Sequence, residues 1–226
     1  HEERDAEYEN GAEFTMYHVS RSEDFLRRYL PGLGMTRDVG VASMIVHFTG
    51  YELDLDEIEL DDPRDVIVGH LIGTADMIAQ MADRCYLEKC RDRLYGEFVL
   101  GGVAIENARP GEYMVRYESG EDLLRKTPMF YQQVMRERLN HKFNQAYRYI
   151  EVLYDGHNPY IEAIANNIRH LVRILDSGDW SLLRRKPPYF LGAGKQAGDI
   201  EQIVSRQLET FTGLRVDADD PLLMPV

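Results

Sequence analysis

Apolar residues recur at helical spacing along most of the chain. In residues 12–30 they lie three, four and seven or eight positions apart, and in residues 38–48 four of them share one face. Pro31 and Gly32 end the first of these segments, and Gly50 ends the second. The same spacing predicts helices over residues 128–154, 159–176 and 198–211. The pattern predicts an all-α fold, with at most a short strand near Tyr113–Tyr117.

Residues 63–95 are predicted to form one long helix, whose first half is central to the fold. Asp62 and Pro63 are typical of a helix start, an acidic N-cap followed by proline in the first turn. From Val66 to Ala79 the residues are apolar nearly all round, which is typical of a helix surrounded by others. Residues 84–93 are largely charged, so we expect the second half to emerge into solvent.

Asp76 is the only acidic residue in the apolar half of this helix. Because an ionised carboxylate is costly to bury alone, the position predicts pairing, neutralisation or metal binding. Gly69 and Gly73 lie on the same side at helical spacing, where they leave room for a bound group or a close backbone. Two interpretations stay open: Asp76 lines a pocket, or it braces a neighbouring helix.

Two histidines precede Asp76 at equal intervals. His18, His47 and Asp76 follow one another at steps of 29 residues, one on each of three successive predicted helices. Imidazole nitrogens and a carboxylate oxygen are suitable ligands for iron, manganese, cobalt, nickel or zinc. A single histidine beside an apolar stripe is more often an ordinary core residue, so the spacing alone does not decide between core and metal site.

The stretch Tyr17–Gly50, followed by residues 73–84 (GTADMIAQMADR), resembles the later part of an HD-domain metal-dependent phosphohydrolase. The resemblance covers about residues 10–95 and implies an HD-domain-like helical bundle. It makes Asp76 the final metal-binding aspartate and the candidate catalytic residue, and His18 and His47 further metal ligands. It implies a divalent metal ion (Fe, Mn, Co, Ni, Zn or Mg), a small phosphorylated substrate such as a nucleotide, and hydrolysis of a phosphate ester.

The chain departs from that family at one important point. It contains no His-Asp dipeptide, which supplies metal ligands in HD domains. We expect the dipeptide either upstream of His1 or lost from a degenerate site. The alternative function is therefore a non-catalytic helical sensor or interaction domain that retains the HD scaffold.

Domain organisation follows from where the resemblance ends. Residues 1–97 are predicted to form the HD-like helical domain, with part of its N-terminal region missing. Residues 98–226 are predicted to be a mostly helical C-terminal extension packed on that domain, beginning with glycine-rich loops.

Composition narrows the possible partners. Acidic residues outnumber basic ones by 39 to 26, and the net charge of −13 argues against binding a nucleic-acid polymer. The sequence lacks an uninterrupted apolar run long enough for a transmembrane helix, so no membrane partner is expected. The two cysteines, Cys85 and Cys90, are predicted to be unpaired thiols, which favours a cytoplasmic location. A homo-oligomer is compatible with all of these features.

Overall fold

Helices dominate the computed structural model, which describes residues 11–109 and 112–187. The α-helices are α1 (His18–Gly32), α2 (Val39–Ile45), α3 (Pro63–Ala82), α4 (Tyr86–Lys89), α5 (Tyr95–Leu100), α6 (Gly120–Gln133), α7 (Tyr149–Leu153) and α8 (Pro159–Ser177). Short 3-10 turns lie at Gly11–Phe14, Val46–Thr49, Leu55–Glu57, Ala146–Arg148 and Trp180–Leu182, and π-helical turns at Cys90–Leu94 and Val134–Lys142. The predicted helical class is confirmed in outline.

One antiparallel hairpin accompanies the helices in this part of the chain. Strand β1 (Ile105–Arg109) pairs with β2 (Glu112–Val115), and Ile105 lies opposite Val115 in the register. The short strand predicted near Tyr113–Tyr117 therefore exists, as the second strand of this hairpin. The helix predicted at residues 198–211 lies outside the described residues.

The chain forms two compact units, each assembled from separated stretches of sequence. The larger unit comprises residues 16–87 and 125–183, and the described part of the smaller one comprises residues 11–15, 88–109, 112–124 and 184–187. This interleaved arrangement differs from the sequential division at residue 97 predicted above.

Helix α3 is the centre of the larger unit, where it packs against α8 and the Val46–Thr49 turn. The hydrophobic core consists of residues from five parts of the chain: Phe48, Ile58, Met77, Ile78, Met81, Val134, Leu139, Phe143 and Ile164. A Cβ atom at Gly69 would lie 2.6 Å from the Phe48 ring, and one at Gly73 would lie 2.6 Å from Phe143 Cζ. The two glycines therefore let these aromatic rings approach the helix backbone.

The prediction of one helix over residues 63–95 is wrong, because α3 ends at Ala82. Asp83 has an extended ψ of 131°, and its carboxylate accepts a hydrogen bond of 2.6 Å from the backbone N–H of Cys85. Asn167 of α8 donates hydrogen bonds of 2.9 Å to the carbonyl oxygens of Met81 and Asp83. These side chains satisfy backbone groups that a helix end leaves open, so the chain can turn there.

Only one side of α3 is buried. Its inward residues are Gly69, Gly73, Thr74, Met77, Ile78 and Met81. On the other side four large apolar residues are 39–47% exposed: Ile67, Val68, Leu71 and Ile72. The prediction of a central helix thus holds for one face of α3 and fails for the other.

Two other expectations concern the cysteines and the membrane. Cys85 and Cys90 are both thiols, as predicted, and the structure buries both of them. Among residues 11–109 and 112–187, no helix combines the length and the apolar character that crossing a membrane requires.

Candidate functional site

Asp76 lies at the partly exposed edge of α3. Its Oδ1 accepts a hydrogen bond of 2.9 Å from Gln80 Nε2, one turn later in the same helix. The expectation of a buried carboxylate without a partner is therefore corrected. The room expected beside Gly69 and Gly73 is likewise taken, by the rings of Phe48 and Phe143. Asp76, Gly69 and Gly73 therefore do not line a pocket.

His47, by contrast, is buried, with 2% of its side chain exposed. Its Nε2 lies 2.7 Å from Glu23 Oε2 of α1. Since an ionised carboxylate can only accept, Nε2 carries the hydrogen in this pair. The second ring nitrogen, Nδ1, is buried and has no hydrogen-bond partner among the described residues.

Glu23 is held in its ionised form by this contact and one more. Arg27 Nε donates a hydrogen bond of 2.8 Å to Glu23 Oε1. Partial burial raises the pKa of Glu23, but the hydrogen bonds from His47 and Arg27 outweigh it and set the pKa below the ordinary value. The result is a charged network that joins α1 to the turn after α2.

His18 lies at the exposed start of α1 and is close to a different acid. Its Nδ1 is 3.9 Å from Glu52 Oε1. Glu52 accepts hydrogen bonds from the backbone N–H groups of Val19 (2.7 Å) and Ser20 (2.9 Å), so it caps this helix. Burial raises the pKa of Glu52, and the hydrogen bonds from Ser20 and Val19 outweigh it and lower the pKa.

The three predicted ligands therefore have three different partners: Glu52 for His18, Glu23 for His47, and Gln80 for Asp76. In the part of the chain that the structure describes, no group of three or more His, Cys, Asp or Glu side chains is arranged to hold a metal ion. His18, His47 and Asp76 therefore do not by themselves assemble a metal centre in the described part of the chain.

The feature that sequence reasoning missed is the outer face of α3, defined here as Ile67, Val68, Leu71, Ile72, Ala75 and Ala79. All six residues are exposed. Its N-terminal half carries large side chains and its C-terminal half carries alanines. The all-round apolar pattern of Val66–Ala79 was the available signal, but that pattern alone does not show whether the second face is covered within one chain.

A family model described as Npun_R2479-like matches residues 6–173, a range that contains α1 to α7 and most of α8. No curated protein and no solved structure matches the chain.

Proposed function

The chain belongs to the Npun_R2479-like family, and for this member we propose a non-catalytic role, that of a helical interaction domain binding a second copy of itself through the outer face of α3. The observation that carries the proposal is the exposure of four large apolar side chains, 39–47% each, within two turns of one helix. Contiguous apolar surface of this kind is typical of a protein–protein contact.

The distribution of side-chain size along this face favours a second copy as the partner. Large residues occupy positions 67–72, and the small residues Ala75 and Ala79 follow one and two turns later. If two copies of α3 pack antiparallel about residue 73, the large half of each helix lies opposite the alanine half of the other. A two-fold contact requires such self-complementarity, because each copy presents the same patch.

The ends of α3 support the same orientation. Asp61, Asp62 and Asp65 lie at the start of the helix together with Arg64, which pairs with Asp62, and Asp83 and Arg84 lie just beyond its end. Antiparallel pairing brings Arg84 of each copy toward the start of the other α3, where the acidic residues outnumber the one arginine. It also aligns the two helix dipoles in opposite directions, which is the favourable arrangement.

Sedimentation velocity of the full chain over a wide concentration range tests this proposal. We expect a reversible dimer for the unchanged chain and a monomer for Leu71→Glu, since a charge at the centre of the contact would have to be desolvated. Val152→Glu is the matched control, because Val152 is 82% exposed on α7 and lies outside the proposed contact. A monomer at every concentration, or a Leu71→Glu dimer as stable as the control, overturns the proposal.

A metal-dependent phosphohydrolase on an HD-like scaffold, as the resemblance implies, is the second candidate function. One observation favours it: His47 directs Nε2 to a carboxylate and leaves Nδ1 without a partner, the state in which histidines commonly ligate metals. The small phosphorylated substrate and the cytoplasmic location belong to this candidate. Elemental analysis of the purified chain and Mn²⁺-dependent hydrolysis of p-nitrophenyl phosphate test it, with His47→Ala and Asp76→Ala as variants. Without bound metal and metal-dependent turnover, this candidate fails.

A further inference from the structure

Residues 184–187 lie against two charged side chains of the smaller unit. The backbone N–H of Arg185 donates a hydrogen bond of 3.2 Å to Glu88 Oε1. Two residues later, the carbonyl oxygen of Pro187 accepts a hydrogen bond of 2.8 Å from Arg93 Nη2. All four residues belong to the smaller unit, and residues 184–187 are in neither a helix nor a strand. One acid and one base thus hold the donor and the acceptor of a single short stretch of backbone.

A π-helical turn brings Glu88 and Arg93 to the same side. Glu88 lies on α4, and Arg93 lies in the turn Cys90–Leu94 that follows it. In a regular α-helix, positions five residues apart are about 140° apart around the axis, so the two side chains would point in different directions. A π-helical turn bonds each residue to the fifth one along, which places such positions nearly above each other. Turns of this kind occur frequently at functional sites.

The contacts recognise the backbone and one buried position of this segment, and not its charged side chains. Residues 184–186 are exposed, whereas Pro187 is buried. Glu88 is 2% exposed, and a buried carboxylate is costly unless a donor satisfies it. A peptide in this site must therefore supply an N–H for Glu88 and, two residues later, a carbonyl oxygen for Arg93. Proline suits the second position, because it has no N–H of its own that burial would leave unsatisfied.

The site and its occupant differ in their relation to the family. The family model matches residues 6–173, which include Glu88 and Arg93 and exclude residues 184–187. The site therefore lies in the matched stretch, and the segment that fills it lies beyond that stretch. An occupant of this kind can be replaced by another peptide without any change in the matched stretch itself.

We propose that Glu88 and Arg93 form a binding site for an extended peptide with proline at its last bound position, and that residues 184–187 are its exchangeable intramolecular ligand. In an extended chain, the backbone groups of residues two apart point to the same side, which matches the spacing of the two hydrogen bonds. A segment of another protein that presents the same N–H and carbonyl oxygen would compete for the site. The proposal is independent of the dimer, because the outer face of α3 belongs to the larger unit.

NMR of the isotope-labelled full chain tests the exchange directly. Unlabelled acetyl-RRKP-amide, which has the sequence of residues 184–187, is added at constant ionic strength. We expect the Arg185 amide resonance of the chain to move saturably toward its position in the free peptide, as the tethered segment is displaced. Half-displacement should need a peptide concentration on the order of 10 mM, because a tethered segment competes at a millimolar effective concentration. An Arg185 resonance that does not move, or that moves without saturation, overturns the proposal.

Changes in the added peptide leave the fold of the protein untouched. N-methylation at the position of Arg185 removes the donor for Glu88 and should abolish displacement. N-methylation at the position of Arg184 is the matched control, which keeps the same cations and the same added methyl group and should still displace the segment. Equal charge matters here, because the net charge of −13 attracts any cationic peptide to the chain. Equal displacement by the two methylated peptides contradicts the proposal.

Pro187→Ala in the full chain tests the intramolecular ligand. This change removes part of a buried ring from the segment and leaves Glu88 and Arg93 in place, so the same peptide should displace the segment at a several-fold lower concentration. Arg184→Ala is the matched control, because residue 184 is exposed. Leu71→Glu should respond like the unchanged chain, whether or not α3 mediates dimerisation. A Pro187→Ala chain that responds like Arg184→Ala contradicts the role of residues 184–187 as the ligand.

Discussion

Single glycines determine how closely the core packs against α3. The sequence shows Gly69 and Gly73 one turn apart and predicts open space beside the helix. It cannot show what fills that space, because Phe143 is 70 residues away in the chain from Gly73. In the structure, a Cβ at Gly73 would lie 2.6 Å from both the Phe48 carbonyl oxygen and Phe143 Cζ. The glycine is therefore a requirement of packing and not of ligand binding.

Gly73→Ala should destabilise the chain by about 1–3 kcal/mol, because the added methyl overpacks the core and meets a backbone atom that cannot turn away. Gly40→Ala is the matched control: Gly40 also lies in a helix, α2, and a Cβ there meets nothing within 4 Å. We expect that control to be neutral or stabilising by up to about 1 kcal/mol, from helix propensity. Urea unfolding measures both values, and equal effects at the two positions would refute the packing role.

Glu23 makes stability depend on pH. Because the pKa of Glu23 is lower in the folded chain than its ordinary value of 4.5, its ionised form stabilises the fold above that pH. This contribution is lost as the pH falls through the folded-state pKa. Glu23→Gln should thus reduce the free energy of unfolding at neutral pH, and the difference from the unchanged chain should shrink in acid.

Denaturant unfolding at a series of pH values measures that difference. Glu59→Gln serves as the control, since Glu59 is exposed in the segment before α3. If the two variants show the same pH dependence, the Glu23–His47 contact does not stabilise the fold.

At the scale of elements, local signals predict helix starts better than helix ends. The helix predicted over residues 159–176 is observed as Pro159–Ser177, and Asn158 caps it by accepting from the N–H groups of Tyr160 and Ile161. That cap is visible in the sequence as Asn-Pro before an apolar stripe. The end of α3 is not visible in the same way, because Asn167 of α8 supplies part of its cap.

The predicted helix over residues 128–154 is interrupted for a conformational reason. Asn144 and Gln145 adopt positive φ values of 48° and 57°, which a helix does not allow. The apolar stripe continues through this break, so periodicity alone could not reveal it.

Asn167→Ala should destabilise the chain by about 1–3 kcal/mol, because the carbonyl groups of Met81 and Asp83 lose their donor within the fold. Asn166→Ala is the neighbouring control, since Asn166 is exposed and only accepts a hydrogen bond from Arg169. Thermal and urea unfolding of the two variants provide the measurement. An Asn167→Ala chain as stable as the control would show that the α3 end does not depend on this side chain.

At the scale of the whole molecule, charge and composition only predict which classes of partner to expect, and the partners of the candidate site residues needed tertiary structure. The sequence predicts His18, His47 and Asp76 on three successive helices. In the structure His18 lies on α1, His47 in the turn after α2, and Asp76 on α3. The sequence could not show that Glu52 and Glu23 pair with the two histidines, because many acids are candidates in so acidic a chain. The apolar pattern of Val66–Ala79 covers both faces of α3, and it could not show that one of them stays exposed in the chain.

The most direct test of the proposed dimer is a pair of distances between copies of α3. Nitroxide labels are placed in the full chain at Asp76→Cys or Arg64→Cys, which lie outside the proposed contact and are partly and fully exposed, while Cys85 and Cys90 are buried. In an antiparallel pair centred on residue 73, the two labels at position 76 are offset by about 9 Å along the axis and the two labels at position 64 by about 27 Å, at about 1.5 Å per residue. Double electron–electron resonance should therefore give a shorter distance at position 76 than at position 64. Equal distances at the two positions, or no dipolar signal at either, would contradict the account.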